Sequence, residues 1–191
     1  MYEQIDFGDV MRERVVLIND DGSPIGAADK SSVHTTATPL HLAVSCYLFN
    51  DSGELLLTRR ALSKKTWAGV WSNSFCGHPA PGESPAEAVA RRAAEELGCR
   101  LRDLRLVLPN FRYRAVDASG IVENEICPVY AAVIDGPLSP SSAEVAEWVW
   151  ADPQSVTSAV ALTPFAFSPW LVEQVAQLDL PQLARAHPGT Q

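Results

Sequence analysis

The sequence predicts an α+β domain in which helices flank a mixed β-sheet, an α/β/α sandwich. The length of 191 residues suits one domain, and 47% of the residues are hydrophobic, which is enough for a sizeable core. Several short apolar runs, separated by turn sequences, are interspersed with few helical patterns. We therefore expect a single domain over 1–191, with flexible extensions at 1–13 and about 184–191.

The first half of the chain has the pattern of short strands joined by tight turns. Asp20-Asp21-Gly22 and Asp51-Ser52-Gly53 are typical turn sequences between apolar runs. The predicted strands are Arg14–Asn19, Ile25–Ala28, Leu40–Phe49 and Glu54–Arg59, followed by a short aromatic segment at Trp67–Phe75.

The clearest helix begins after Ser84. Ser84 is a suitable N-cap, Pro85 fits the first helical position, and Glu87 completes a capping box. Gly98 can end the helix in the left-handed conformation. The predicted apolar stripe consists of Ala86, Val89, Ala90, Ala93 and Leu97.

The second half predicts a hairpin, a strand and a last helix. Phe111–Val116 and Ile121–Ile134 flank the turn residues Asp117-Ala118-Ser119-Gly120. Glu147–Trp150 has the pattern of another strand, and Ser168-Pro169 begins a helix with apolar residues at helical spacing.

Charge and cysteine content restrict the function classes. The net charge of −8 excludes nonspecific nucleic-acid binding as the main role. No apolar run of about 18 residues predicts a membrane span, and the acidic start lacks a signal-peptide pattern. We therefore expect a cytoplasmic protein whose four cysteines are free thiols. Six basic residues indicate either a small anionic ligand or a solvated face: Arg59, Arg60, Lys64, Lys65, Arg91 and Arg92.

A cysteine, two glutamates and three histidines offer acid–base and metal chemistry. Cys76 lies in the polar, glycine-containing segment 73–78. Glu123 and Glu125 are two apart on a predicted strand, so their carboxylates share a face and favour a cation between them. Together with His34, His41 and His78 they form a mixed N/O donor set suited to Mn²⁺, Mg²⁺ or Zn²⁺. The alternatives are a solvent-facing strand and packed histidines.

The segment from Gly77 to Gly98 resembles the Nudix signature. The matching positions are Gly77, Glu83, Arg91, Glu95, Glu96 and Gly98. In Nudix hydrolases the glutamates of this loop and helix hold Mg²⁺ against a diphosphate. The signature has a glutamate where this chain has Arg92, a change that disfavours hydrolysis but retains the fold and a diphosphate ligand.

Further motifs resemble the type 1 isopentenyl-diphosphate isomerase family, over roughly Val15 to Val172. The motifs are Asn73-Ser74-Phe75-Cys76-Gly77-His78-Pro79, Thr58-Arg59-Arg60-Ala61-Leu62-Ser63-Lys64-Lys65, Phe111-Arg112-Tyr113-Arg114, Glu123-Asn124-Glu125 and Ala166-Phe167-Ser168-Pro169-Trp170. The resemblance implies a Nudix-like mixed sheet flanked by helices, with additional N-terminal strands. It also implies the interconversion of isopentenyl and dimethylallyl diphosphate, which is a 1,3 proton shift through a carbocation-like intermediate.

The same resemblance implies roles for individual residues. Cys76 and Glu125 carry the protons, Tyr113 hydrogen-bonds the catalytic carboxylate, and the Trp170 indole stabilises the cation. A thiol next to a bound cation would ionise more easily. The implied ligands of a Mn²⁺ ion (or Mg²⁺ or Zn²⁺) are His34, His41, His78, Glu123 and Glu125. Glu96 would hold a Mg²⁺ that accompanies the diphosphate, and the implied diphosphate contacts are Lys30, Arg60, Lys64 and Arg92.

The expected partner is therefore a small prenyl diphosphate, with no nucleic acid or membrane, and the expected state is a monomer or weak homodimer. Two alternatives stay open at this point. One is a Nudix pyrophosphohydrolase, and the other is a catalytically silent diphosphate-binding module.

Overall fold

The strands divide between two sheets in the computed structural model, which describes residues 13–186. The first sheet has the order β2-β1-β3-β10-β9. Its strands are β1 (Arg14–Ile18), β2 (Pro24–Asp29), β3 (His41–Leu42), β9 (Arg112–Val116) and β10 (Val122–Ile126). This sheet contains the N-terminal strands and carries His41, Glu123 and Glu125.

The second sheet has the order β12-β5-β4-β11-β8, with β6 added beside β5 and β7 beside β4. Its strands are β4 (Val44–Phe49), β5 (Leu55–Arg60), β6 (Trp71–Ser72), β7 (Phe75–Gly77), β8 (Arg100–Leu108), β11 (Val129–Asp135) and β12 (Val145–Ala151). Both sheets mix parallel and antiparallel pairs, and helices cover the second, so the predicted α+β class is confirmed.

Helices cover both faces of the second sheet. They are α2 (Pro85–Leu97), α3 (Pro153–Leu162), α4 (Pro169–Val175) and α5 (Leu180–Arg185), with a 3₁₀ turn at Pro164–Ala166, whereas the short helix α1 (Lys30–Val33) lies beside β1 and β2 of the first sheet. Alternate residues of β4 serve different layers. Val44 and Leu48 pack with α2, whereas Tyr47 and Phe49 pack with α3, α4 and α5. The α/β/α sandwich is therefore present.

Two segments that we predicted as single strands cross between the sheets. The Leu40–Phe49 segment breaks at Ala43 into β3 and β4, and the Ile121–Ile134 segment breaks at Cys127-Pro128 into β10 and β11. Pro128 has no N–H for a ladder, while Ala43 donates its own to Ile126 O at 3.0 Å. The single-strand predictions were wrong because a continuous apolar run does not show where the chain leaves one sheet and begins to pair with strands of the other.

The predicted helix over 84–98 is confirmed as α2. Ser84 and Glu87 form the capping box, and Gly98 closes the helix with φ of 61°. The predicted apolar stripe was partly wrong, because Ala86 and Ala90 are exposed while Arg92 and Glu96 are buried. One face of α2 therefore ends in charged residues that turn towards a cavity.

Three helices and one strand were not predicted, and the first of them is the short helix α1. The nine residues of β8 lack a clear alternation of burial, and the helices α3 and α5 begin after the caps Asp152 and Asp179. Of the expected flexible ends, 1–12 and 187–191 lie outside the described residues, Glu13 is described, and Ala184 and Arg185 are helical. Within residues 13–186, no helix has the length and apolar character needed to cross a bilayer.

Candidate active site

A cavity of about 220 Å³ brings nearly all the predicted site residues together. His41 alone does not line the cavity, because it is fully buried behind the other histidines. The predicted residues that line it are Lys30, His34, Arg60, Lys64, Cys76, His78, Arg92, Glu96, Tyr113, Glu123, Glu125 and Trp170.

The histidine and glutamate cluster lies at one end of the cavity. The parallel pairing of β3 with β10 makes His41 and Glu125 direct neighbours. His34 ends α1, and His78 follows β7. Ligand atoms of His34, His41, His78 and Glu125 all lie within 4.8 Å of one another. Residues from four separate segments therefore point at one position.

The chemistry of these groups fits a divalent cation. The buried Nε2 atoms of His34 and His41 make no hydrogen bond of good geometry, although each lies near a carboxylate oxygen, Glu123 Oε2 at 3.0 Å and Glu125 Oε1 at 3.3 Å. His41 Nδ1 lies 2.9 Å from Pro39 O, and a carbonyl oxygen can only accept, so Nδ1 is the donor. In the neutral ring the lone pair is then on Nε2. Burial lowers the pKa of His78 to about 4, so this imidazole is neutral at pH 7, as a metal ligand must be.

Glu125 is the ionised member of this cluster. Its Oε1 atom lies 3.3 Å from His41 Nε2 and 3.1 Å from His78 Nε2. Burial alone would raise the pKa of Glu125, but its close contacts with these two histidines hold the pKa well below the ordinary value. A buried carboxylate that stays ionised next to imidazole nitrogens is a strong site for a cation.

Glu123 lies beside the cluster and contacts it through His34. Its Oε2 atom is 3.0 Å from His34 Nε2, and its Oε1 atom accepts a hydrogen bond of 2.8 Å from Thr66. Glu123 is outside the set of atoms that lie within 4.8 Å of one another. Thr66, which the sequence did not suggest, therefore helps to orient this carboxylate.

Cys76 lies at the wall of the cavity with its sulfur held by two side chains. Its Sγ atom is 3.2 Å from Ser45 Oγ and 3.3 Å from Asn73 Oδ1. Burial raises the pKa of the Cys76 thiol to about 12, while its hydrogen bonds with Ser45 and Asn73 limit the rise. The thiol therefore carries its proton at neutral pH, while Glu125 has none.

Two aromatic residues extend the wall next to Cys76. Trp170 is buried, and its Nε1–H donates to Ser72 Oγ at 2.9 Å and to Asn73 Oδ1 at 3.0 Å. Tyr113 pairs with Glu125 across β9 and β10, and its ring lies 5.8 Å from that of Trp170. No hydrogen bond joins the Tyr113 hydroxyl to Glu125 among the described residues, contrary to expectation, because this carboxylate turns towards the histidines.

The opposite end of the cavity carries basic side chains, most of which form ion pairs with carboxylates. Arg92 binds Glu96 through two nitrogens, at 2.9 and 2.6 Å, and Glu95 through a third at 2.9 Å. Arg92 also lies 3.4 Å from Glu144, which forms an ion pair with Lys64. The Arg92 side chain is 5% exposed, so these charges are fixed in place.

Glu13 and Arg60 complete this end. Glu13 forms an ion pair with Lys30 and lies 3.2 Å from Arg92. The Arg60 guanidinium lies over the Trp170 ring, 5.2 Å from its centroid, and donates to Thr66 O. Arg60 therefore links the basic end to the aromatic wall. The sequence suggested neither Glu13 nor Glu144, because both join the site only through the fold.

Comparison with known proteins agrees with this geometry. The sequence pattern of the NUDIX domain family matches residues 39–171. The isopentenyl-diphosphate Delta-isomerase of Leifsonia xyli subsp. xyli is 63% identical over 169 residues, covering 87% of this chain and 91% of that protein. The protein of the same name from Paenarthrobacter aurescens is 61% identical over 166 residues, covering 87% and 90%.

Solved structures extend the likeness of the fold. DR0079 from Deinococcus radiodurans has a TM-score of 0.67 at 22% identity, covering 86% of this chain and 98% of that one. The MutT protein of Methanosarcina mazei Go1 has a TM-score of 0.56 at 22% identity, covering 73% and 92%. At this level of identity the two structures support the fold alone.

Proposed function

Because this chain belongs to the isopentenyl-diphosphate Delta-isomerases and carries their NUDIX domain, we propose that its cavity binds isopentenyl diphosphate and that Cys76 and Glu125 exchange the protons of the isomerisation. The observation that carries the proposal is that one cavity is lined by both residues and by the basic side chains. A prenyl diphosphate has a short apolar tail and an anionic head, which match these two ends.

The reaction moves a double bond by adding a proton at one end of the alkene and removing one from the carbon on its other side. It therefore needs one group that holds a proton and one that can accept it. The protonated thiol of Cys76 and the ionised carboxylate of Glu125 form such a pair. After one turnover a proton has left Cys76 and another has arrived at Glu125, so exchange of protons with the solvent must restore the thiol and the carboxylate before the next substrate reacts.

Adding a proton to the alkene produces positive charge on carbon, and the aromatic wall is suited to stabilise it. The face of an indole attracts a cation by about 0.5–2 kcal/mol, most strongly where water is excluded. Trp170 is 4% exposed and its ring orientation is fixed by two hydrogen bonds. Tyr113 lines the same wall and limits the access of water to the cation.

The diphosphate binds at the basic end in this proposal. Lys30, Arg60, Lys64 and Arg92 neutralise its charge, and Glu96 holds the Mg²⁺ that accompanies it. Arg92 occupies the signature position where Nudix hydrolases have a glutamate. A guanidinium at that position supports retention of the diphosphate, because hydrolysis would need a further metal-binding carboxylate.

His34, His41, His78, Glu123 and Glu125 are the proposed ligands of a second divalent cation, for which Mn²⁺, Mg²⁺ and Zn²⁺ are all candidates. When bound, such an ion supplies positive charge that orients the Glu125 carboxylate. The buried ring nitrogens of His34 and His41 support the assignment. Glu125 then has two functions, as a ligand and as a proton carrier.

The test is the incubation of the protein with isopentenyl diphosphate and Mg²⁺ in deuterium oxide, followed by NMR. We expect dimethylallyl diphosphate that carries deuterium, whereas release of phosphate or pyrophosphate would favour a hydrolase. Cys76→Ala and Glu125→Gln should each reduce turnover by about 10²–10⁴-fold. Cys99→Ala is the matched control, since Cys99 is a buried thiol outside the cavity. Near-normal rates in Cys76→Ala would refute the assignment.

A further inference from the structure

Asn73 is a fully buried polar side chain whose orientation is fixed by the backbone. Its Nδ2 atom donates to Cys46 O at 3.1 Å and to Phe75 O at 2.8 Å. Both amide hydrogens are therefore used, and a flipped carboxamide would place an oxygen against two carbonyl oxygens. The Oδ1 atom must point into the site as an acceptor.

This single oxygen touches both of the groups that line the reacting end of the cavity. The Cys76 thiol donates to Asn73 Oδ1 at 3.3 Å, and the Trp170 indole N–H donates to it at 3.0 Å. Ser72 Oγ is a third donor at 2.9 Å. The sulfur and the indole nitrogen thus share an acceptor that cannot rotate.

We propose that Asn73 is a positioning residue that fixes the Cys76 sulfur and the Trp170 indole relative to each other, so that the proton carrier and the cation-stabilising ring face the same part of the substrate. This inference rests on the proposed function, because it assigns Asn73 a role in that reaction. The residue acts through Cys76 and Trp170 and does not itself exchange a proton.

Two features strengthen this inference. Ser45 Oγ contacts the Cys76 sulfur at 3.2 Å and accepts from Gln174 Nε2 at 3.0 Å, so the sulfur is held by a second side chain besides Asn73. An indole nitrogen can only donate, and Asn73 Oδ1 and Ser72 Oγ are the two acceptors that it contacts. The carboxamide of Asn73 has no hydrogen bond to the basic side chains among the described residues.

The first experiment compares Asn73→Ala with Ser74→Ala. A displacement of reacting groups by about 1 Å costs roughly 10²-fold in rate, so Asn73→Ala should lower kcat by about that factor. Its Kd for inorganic pyrophosphate with Mg²⁺ should stay within about twofold of the parent, because the basic end is unchanged. Ser74 is the matched control, since it is equally buried but bonds only Leu48 N and Leu56 O, at 2.7 Å each.

We expect Ser74→Ala to melt at a lower temperature yet to retain near-normal kcat when assayed well below its Tm. If both variants lose the same kcat at the same folded fraction, Asn73 has only a structural role and the proposal fails. A kcat of Asn73→Ala close to that of the parent would also overturn it.

A second measurement does not need an Asn73 variant to fold. Cys76→Ala removes one donor from Asn73 Oδ1, so the ¹H–¹⁵N resonance of the Trp170 indole should shift, whereas Cys99→Ala should leave it unchanged. An unshifted indole resonance in Cys76→Ala would refute the shared contact. If the parent protein does not isomerise isopentenyl diphosphate, the proposed function fails, and the indole shift alone then decides whether Asn73 joins the two groups.

Discussion

At the scale of single residues, Arg92 places a buried guanidinium where the Nudix signature has a glutamate. Arg92 lies on the buried face of α2, one turn before Glu96, and binds it through two nitrogens. Burial raises the pKa of Glu96 above its ordinary value, and the positive charge of Arg92 limits this rise. The carboxyl group and the guanidinium are held against each other at the edge of the cavity.

Gly77 makes room for this arginine. A Cβ atom at position 77 would lie 2.5 Å from Arg92 Cγ, closer than packed atoms allow. Gly77→Ala should therefore displace Arg92, destabilise the fold by about 1–3 kcal/mol and weaken pyrophosphate binding. Urea unfolding and calorimetric titration with pyrophosphate would measure the two effects.

The control for Gly77→Ala is the double variant Gly77→Ala/Arg92→Ala. Shortening Arg92 removes the atoms that clash, so the loss of stability in the double variant should be smaller than the sum of the two single losses. Strict additivity would show that Gly77 does not act through Arg92.

The sequence identified the site residues that lie in recognisable motifs, and it missed those that join the site only through folding. Cys76 and Glu125 stand in such motifs. Asn73 was noticed only as part of one, because its contact with Trp170 spans 97 positions. Glu144 reaches Lys64 across 80 positions, and no local pattern indicates that contact.

At the scale of elements, a hydrogen-bond network between α2 and the loop before it holds the backbone of His78, and we call this network the clamp. Arg91 binds Glu83 through two nitrogens at 2.8 Å each and donates to His78 O at 3.1 Å. Glu83 in turn accepts from Ala80 N at 2.8 Å. The helix therefore sets the path of the loop that carries His78 into the cavity.

This clamp should depend on pH. The hydrogen bonds with Arg91 lower the pKa of Glu83 from its ordinary value of 4.5, so the carboxylate stabilises the fold above that value and stops doing so as the pH falls through the lowered pKa. Glu83→Gln should lower the free energy of unfolding by about 1 kcal/mol at pH 7, and the difference should diminish as the pH falls below 4.5 and through the lowered pKa.

Urea unfolding of both proteins at several pH values would measure this difference. Glu147→Gln is the control, because Glu147 pairs with Arg59 at 3.0 Å but is 58% exposed and should contribute little. A deficit of Glu83→Gln that is the same at every pH would contradict the assignment to the carboxylate charge.

Elements were predicted well where residues close in sequence determine them. They were predicted poorly where their limits depend on which strand of which sheet lies beside them. The caps of α2 are fixed by Ser84, Glu87 and Gly98, which are close in sequence. The breaks at Ala43 and Cys127 depend on which strand lies beside each segment, which no single run of residues determines. The charged strand β8 was missed because its residues do not alternate in burial.

At the scale of the whole molecule, the cluster around Glu125 draws together segments that are far apart in the chain. The ligand candidates come from the end of α1, from β3, from the end of β7 and from β10. An ion bound there would link the two sheets, because β7 belongs to the second sheet and β10 to the first.

Removing the metal should therefore destabilise the entire fold. An ion at a hundredfold excess over its Kd adds about 2.7 kcal/mol, which corresponds to a Tm difference of about 5–10 °C in a domain of this size. Melting curves of the metal-loaded protein before and after chelation would measure the difference.

The variant His41→Ala is the control for chelation, since it removes a buried ligand without altering the cavity wall. Its Tm should respond much less to the chelator. An unchanged Tm in the parent, or an equal fall in both proteins, would show that no ion is held by this cluster.

The pairing of β3 with β10 also has a consequence for biosynthesis. The three histidines precede residue 79, but Glu125 follows His78 by 47 positions. A chain emerging from the ribosome therefore exposes imidazoles well before the carboxylate that completes the cluster. Tight binding of an ion by this cluster must be a late event, because a nascent chain meets any divalent cation with an incomplete set of ligands.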